Sequence, residues 1–361
     1  MGSACPVLFR KETWSAVFCA AEASLKEYNI AIVGATGMVG RKFLQVLEER
    51  RLPAKSYTLF ASHRSAGKQV DFMGEEHTVQ ELNERSFDAG EIDIALFSAG
   101  AATSAKYAPI AVERGVLVID NSSAWRMAPD VPLVVPEVNP EDIQWNHGII
   151  ANPNCSTIQA VVALKPLHDA YGLERVVYST YQAVSGAGLA GYRDLENGIS
   201  GDAPAKFPHP IFGNVLPQID VFDADGYTKE ELKMINETQK ILHLPDLRIT
   251  ATTARVPVFN GHSESINVEL KKPFDLDVLK KQLENFPGLV VLDSIVSGEP
   301  TGVYPMPIQA TGHDEVYVGR IRRDRSVANG VNIWVVADNI RKGAATNAVQ
   351  IAETWITQEN V

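Results

Sequence analysis

The residue pattern predicts an α/β protein of two domains. The first is a parallel sheet covered on both faces over residues 29–154, completed by a C-terminal helix (341–361). The second is an α+β unit over 155–340 built on a mostly antiparallel sheet. Two observations carry this expectation. In the first half, short apolar runs (Ile30-Ala31-Ile32-Val33, then 57–60, 92–99 and 116–120) alternate with helical stretches such as 41–50 and 105–115. A run without polar alternation marks a strand buried on both faces, and helices on either side of a parallel sheet bury it that way. After about residue 154 the runs lengthen and alternate (176–185, 248–256, 265–271 and 331–338), between loops rich in Pro and Gly. That is the pattern of a sheet with one packed face. The stretch 342–358 reads as an amphipathic helix.

The bulk composition excludes several classes. The formal net charge is −11, so a nucleic-acid partner is not expected. No uninterrupted apolar run approaches the roughly 18 residues of a membrane-spanning helix, so no membrane partner is expected either. Three cysteines, Cys5, Cys19 and Cys155, cannot form a disulfide framework, and a reducing, cytoplasmic compartment is the expectation. Residues 1–28 precede the first regular strand and are set apart as an extension of unknown role.

Gly34, Gly37 and Gly40 space a G-x-x-G-x-x-G turn between the first apolar run and a helix carrying Val39, Phe43 and Leu47 on one face. Strand, glycine turn and helix make a Rossmann-type unit, in which the free N–H groups of the helix start receive a pyrophosphate. Thr36, Met38 and Val39 belong to the same cofactor-contacting turn. After the next strand, 61–68 reads ASHRSAGK. No acidic residue is there to hold a ribose 2′-hydroxyl, whereas Ser62, Arg64 and Ser65 suit a 2′-phosphate, so NADP is the expected cofactor. Ser98 and Thr103, after the third strand, are further candidates for the phosphates.

The segment 149–164, IIANPNCSTIQAVVAL, places Cys155 at the start of a helix, after a strand end at Asn152 and a turn at Pro153-Asn154. The positive end of the helix dipole lowers a thiol pKa there, which marks Cys155 as a nucleophile. The turn is expected to hold it at an exposed domain junction. Thr228 with Glu231 forms a capping box, so Glu237 and Lys240 (i, i+3) project from one face of the helix that follows.

NPNCST, with NSSAWRM (121–127), YQAVSGAG (181–188), EELKMINETQKI (230–241) and RVPVFNGHSE (255–264), resembles the aspartate-semialdehyde dehydrogenase family over essentially all of 29–361. The resemblance implies that Cys155 is the acyl acceptor and His262 the general acid/base, with Gln182 orienting the substrate. It implies Arg255 for the α-carboxylate, Glu237 for the α-ammonium, and Arg126 and Lys240 for the phosphate, with Asn154 among the substrate contacts. Ser185, Gly186 and Gly188, and Asn339 after the last strand, would border the nicotinamide half of the cofactor. The implied reaction is the reversible reductive dephosphorylation of 4-phospho-L-aspartate to aspartate 4-semialdehyde and inorganic phosphate. No metal is implied. The family also implies a homodimer or homotetramer and a place in the biosynthesis of lysine, threonine, methionine and isoleucine. Oxyanion donors are expected among the backbone N–H groups near 155–156. The alternatives are a related reductase, such as that acting on N-acetyl-γ-glutamyl phosphate, and a non-catalytic NADP sensor. The former carries Gly-Cys-Tyr where this chain has Asn154-Cys155-Ser156. The latter has no need of Cys155, His262 and Arg255 together.

Overall fold

Six parallel strands form the first sheet, in the spatial order Gln80–Glu81, Ala54–Ala61, Tyr28–Val33, Ile94–Phe97, Leu117–Asp120, Ile149–Ala151. The computed structural model describes residues 26–299 and 301–359. Nearly all of the 1–28 extension, with Cys5 and Cys19, lies outside the described residues. Each apolar run read from the sequence is a strand here, and the central ones are buried at every position but Asn29. One face packs on Met38–Arg50 and Thr346–Glu359, through Phe43, Leu47, Val349, Ile351 and Ile356 against Ile30, Ile32 and Leu96. The other packs on Ala101–Glu113, and its core runs without a break into the second half of the chain.

The second sheet has the order Arg248–Arg255, Leu173–Gln182, His262–Leu270, Gly330–Ala337, Val316–Asp324, Leu289–Val291. Three pairings are antiparallel and the two outer ones are parallel. Helices Cys155–Tyr171, Lys229–Ile241 and Leu276–Asn285 cover one face, through Val161, Leu164, Met234, Leu279 and Leu283 against Val176, Tyr178, Ile266 and Val335. At about 1.5–3 kcal/mol for each fully buried aliphatic or aromatic side chain, this layer anchors the site above it. The opposite face is more open: Tyr181, on the alternate register, is 41% exposed and sits 5.5 Å ring to ring from Trp334.

The C-terminal helix does not begin as a regular α-helix. Arg341–Ala345 is a π-turn, and the α-helix runs Thr346–Glu359. Side-chain partners hold the widened turn. Arg341 bonds Glu49 and Asp314, and the fully buried Lys342 bonds Glu137, Asn347 and Gln350. Among the described residues no helix is long and apolar enough to cross a membrane.

Strand direction gathers the candidate chemistry. The first sheet's carboxyl ends lead into Gly34, Ser98, Asn121 and Asn152. In the second sheet Gln182 and Arg255 are register partners at the ends of two parallel strands, and His262 begins the next. Both sets open on one crevice, where ligands bind in open α/β sheets.

Candidate active site

The glycine turn is built by close approach. Gly34 has φ +91°, and a Cβ there would lie 2.5 Å from the Ser98 carbonyl oxygen. A Cβ on Gly40 would lie 2.0 Å from the Gly34 carbonyl oxygen, so the helix can pack on the strand only with glycine at 40. Gly37 is the N-cap of Met38–Arg50, and no side chain caps it. The N–H groups of this helix start are therefore left for a ligand. Met38 and Val39 carry the turn into a cavity of about 790 Å³ that also reaches Gly100, Cys155, Gln182, Ser185, Gly188 and His262. A second cavity of about 310 Å³ is lined by Thr36, Arg41, Ser65 and Lys68.

The cations of that second cavity differ from expectation. Ser62 and Arg64 are exposed and line neither cavity, because the turn His63–Ser65 directs the chain so that only Ser65 faces inward. Arg41, from the first helix, and Lys68 bring the positive charge. Ser98 and Thr103 line neither cavity; Gly100 and Ala101 do so in their place, at the start of Ala101–Glu113.

Cys155 is the first residue of its helix, and the Asn154 side chain caps that end by accepting from the N–H groups of Ser156 (3.0 Å) and Thr157 (3.3 Å). The Asn154 N–H donates to Glu237 (2.6 Å) and its amide nitrogen to Glu230 (2.9 Å). The turn under the sulfur is thus held on three sides, and the cap occupies the Ser156 N–H expected to serve as an oxyanion donor. Cys155 borders the cavity but is half-buried, not exposed. Burial pushes its thiol up to about 12, Glu230 adds to the rise, and Arg255, Arg126 and the Ser156 N–H oppose it. Desolvation thus works against the lowered pKa expected from the helix start.

His262 is fully buried on the cavity wall. Its Nδ1 accepts the Ala183 N–H at 3.0 Å, and its Nε2 has no partner. Burial, with the Arg255 guanidinium beside it, pushes the imidazole well below its ordinary pKa. Arg255 donates to the Ala183 carbonyl at 2.7 Å. Gly186 makes room for both: a Cβ there would lie 2.8 Å from Arg255 Nη1 and 3.2 Å from His262 Nε2. The Gln182 amide donates to Ser156 Oγ and, at 3.3 Å, to Glu230. Asn339 bonds Ser185 and accepts the Gly261 N–H, tying the 185–188 turn to the last strand.

Arg126 lines the cavity, its guanidinium fixed by the carbonyls of Asn152 and Asn121 and by Glu237 (3.1 Å). Glu237 and Lys240, expected to meet the substrate, lie off the cavity. One Glu237 oxygen takes Arg126 and the other takes the Asn154 N–H. Lys240 Nζ donates to the carbonyls of Arg126, Ala128 and Val131, each at 2.8 Å. Two turns earlier on the same helix, Glu230 and Lys233 do line the cavity, 3.1 Å apart. Burial alone would raise the Glu230 carboxyl, but Lys233, the Asn154 amide and Arg255 outweigh it and hold it below its ordinary range. The capping box is present as read. A legible signal for Glu230 existed, since EELK repeats the Glu-x-x-Lys spacing of ETQK. Among the described residues no acidic, His or Cys cluster could hold a metal.

One cavity thus joins an open helix start, a cysteine, a neutral imidazole, two guanidinium groups and a Glu–Lys pair. The family model for the semialdehyde dehydrogenase NAD-binding domain matches residues 29–146, and that for the semialdehyde dehydrogenase dimerisation domain matches 164–342. The aspartate-semialdehyde dehydrogenase of Aquifex aeolicus is 57% identical over 340 residues, covering 92% of this chain and 98% of that protein. The crystal structure of Vibrio cholerae aspartate semialdehyde dehydrogenase II complexed with ASA is 49% identical, with a TM-score of 0.87, covering 92% of this chain and 99% of that one. The Candida albicans enzyme solved with NADP is 26% identical, with a TM-score of 0.72, covering 93% of this chain and 100% of that one. By fold, site and sequence, the chain is an oxidoreductase belonging to the aspartate-semialdehyde dehydrogenase family.

Proposed function

We propose that this protein reduces 4-phospho-L-aspartate to aspartate 4-semialdehyde with NADPH, reversibly, through a thioester on Cys155. The observation that carries this reading is the single cavity in which Cys155, His262, Arg255, Arg126 and the Glu230–Lys233 pair face the open start of Met38–Arg50. NADP fits the chain's own features: the Gly34–Gly40 cradle accepts a pyrophosphate, and Arg41, Lys68 and Ser65 offer charge and a hydroxyl to a 2′-phosphate. Its presence in the Candida albicans relative supports the same choice. When bound, NADPH supplies the hydride that reduces the thioester.

The chain's residues do the rest. Arg255 clamps the α-carboxylate through its planar fork. Glu230, kept ionised, receives the α-ammonium, and Arg126 and Lys233 receive the phosphate. In these two roles Glu230 and Lys233 replace the sequence candidates Glu237 and Lys240, whose charges are already satisfied. The sulfur attacks the acyl carbon, phosphate leaves, and Gln182, fixed by Ser156 and Glu230, orients the acyl group. The covalent step exchanges the acyl phosphate for a thioester on Cys155, and the thioester carbon is the hydride acceptor. We also propose a homodimer through the open face of the second sheet around Tyr181 and Trp334, and a place in cytoplasmic amino-acid biosynthesis, where a reducing environment keeps Cys155 a thiol.

The test is a spectrophotometric assay with aspartate semialdehyde, inorganic phosphate and either NADP or NAD. Phosphate-dependent reduction of NADP is expected, lost in Cys155→Ala while NADP binding stays measurable. No phosphate-dependent reduction with either cofactor, or activity surviving Cys155→Ala, would refute the reading.

A further inference from the structure

Four side chains in a row join the π-turn to the cavity. Lys342 Nζ donates to Asn347 Oδ1 (3.1 Å), Asn347 Nδ2 to Asn152 Oδ1 (2.7 Å), and Asn152 Nδ2 to Asn121 Oδ1 (2.7 Å). Lys342, Asn347 and Asn152 are fully buried, and Asn121 is half-buried on the cavity wall. The direction of the row is fixed at three points. The Lys342 ammonium, paired with Glu137 at 2.7 Å, has only protons to give, so an oxygen of Asn347 must face it. The Val134 and Ala344 carbonyls can only accept, and they take the nitrogens of Asn347 (3.0 Å) and Asn152 (3.3 Å). Turning over one amide would set like atoms against each other in a dry interior, where a lost hydrogen bond is not replaced by water. Each amide therefore accepts on the Lys342 side and donates on the cavity side. With its oxygen taken, Asn121 turns its NH2 group to the cavity, and that group has no protein partner among the described residues. Arg126 stands beside it, donating to the Asn121 carbonyl (3.0 Å) and the Asn152 carbonyl (2.9 Å).

We propose that Lys342, Asn347 and Asn152 are positioning residues that hold the Asn121 amide with its NH2 group toward the cavity, where it donates to a phosphate oxygen next to Arg126. This rests on the reading above in one respect, the placing of the phosphate at Arg126. The substrate's phosphate is favoured over the pyrophosphate of the dinucleotide because Arg126 and Asn121 are tied at one carbonyl, whereas a pyrophosphate has the uncapped helix start at Gly37. A row of hydrogen bonds polarises each of its members, so an ammonium at the head strengthens the N–H groups at the far end as donors to an anion. The outward group has no lone pair to offer, so it suits an oxygen that carries charge and no proton.

Inorganic phosphate titrated onto the enzyme and read by phosphorus-31 line broadening tests this without turnover, so its failure is separate from failure of the activity assay. Asn121→Ala is expected to weaken phosphate about tenfold or more, the usual worth of a hydrogen bond to a charged group, and to leave NADP affinity within about twofold. Asn121→Asp alters only the member on the cavity wall and turns a carboxylate oxygen outward, so it should weaken phosphate at least as much. Asn347→Asp tests the row from its buried end. The new oxygen can only accept, so Asn152 turns its nitrogen toward it and Asn121 then shows its oxygen to the cavity. Phosphate should weaken by a similar factor, and in the Asn121→Ala background Asn347→Asp should add nothing, since residues acting through one another are not additive. A merely structural effect would persist in that background. Unchanged phosphate affinity in Asn121→Ala, or a loss of NADP affinity in its place, would overturn the assignment of the donor. Phosphate bound better by Asn121→Asp than by Asn121→Ala would overturn its direction, and losses that multiply in the double variant would overturn the relay.

Discussion

At the scale of single residues, Gly343 sets the seat of Cys155, the proposed nucleophile. It lies in the π-turn, and a Cβ on it would fall 2.9 Å from Cys155 Cβ and 3.2 Å from Cys155 Cα. Neither side can yield cheaply. The cysteine turn is clamped by Asn154, Glu230 and Glu237, and the π-turn is bolted through Lys342 to Glu137. Gly343→Ala should therefore lower kcat and the rate of Cys155 alkylation together, by about tenfold or more (about 1.4 kcal/mol), with little change in cofactor affinity. Iodoacetamide labelling beside a cofactor titration checks this; an unchanged alkylation rate would free Gly343 of the role. The thiol itself makes a pH prediction. Alkylation follows the thiolate, and burial pushes Cys155 up to about 12. In substrate-free enzyme the labelling rate should keep rising well above the ordinary thiol pKa of about 8.5. A plateau near that value would show the dipole prevailing over desolvation.

At the scale of one element, Lys229–Ile241 carries two Glu-x-x-Lys pairs seven residues apart, close to two helical turns, so both share a stripe. Spacing alone could not choose between them. The choice is made by the helix's approach: its capped start lies against the cavity, and its later turns pass behind Arg126. The two glutamates should separate on mutation. Glu230→Gln should raise the KM for the amino-acid substrate about tenfold or more with modest loss of stability. Glu237→Gln breaks a buried ion pair and should cost about 3 kcal/mol of stability, at the low end for such pairs because Gln keeps one acceptor. Chemical denaturation with steady-state kinetics distinguishes them, and equal effects from both would defeat the assignment. The same limit applies to the turn at 61–68. Its basic character was legible, but which side chain turns inward depends on three residues of helical turn that bring Ser65 to the cavity and leave Arg64 in solvent.

At the scale of the whole molecule, two sheets share one continuous core, and their strand ends meet at the crevice. The C-terminal helix closes the arrangement by packing on the first sheet while its leading π-turn touches the cysteine. The outer face of the second sheet is open around Tyr181, whose ring is tilted against that of Trp334 next to the strand end at Gln182. Tyr181 precedes Gln182, so burying this face against a second copy would also stiffen the strand end that holds the amide proposed to orient the substrate. Tyr181→Glu should shift the protein toward monomer in sedimentation velocity and lower kcat with it. A monomer with full activity would separate assembly from catalysis.

Periodicity and turn chemistry by themselves determined the two sheet types, the glycine cradle, the helix start at Cys155, the capping box at Thr228 and the motif set that marks the family. These are local properties, since apolar spacing follows backbone geometry and a cap is made within four residues. Only the tertiary structure decided that Glu230 and Lys233, not Glu237 and Lys240, meet the cavity. It also showed that Arg41 and Lys68 bring charge to the second cavity, that His262 is fully buried with its Nδ1 taken by the Ala183 N–H, and that burial raises the Cys155 thiol. Each of these depends on what lies across a space from a side chain, and partners distant in sequence control burial and competing hydrogen bonds.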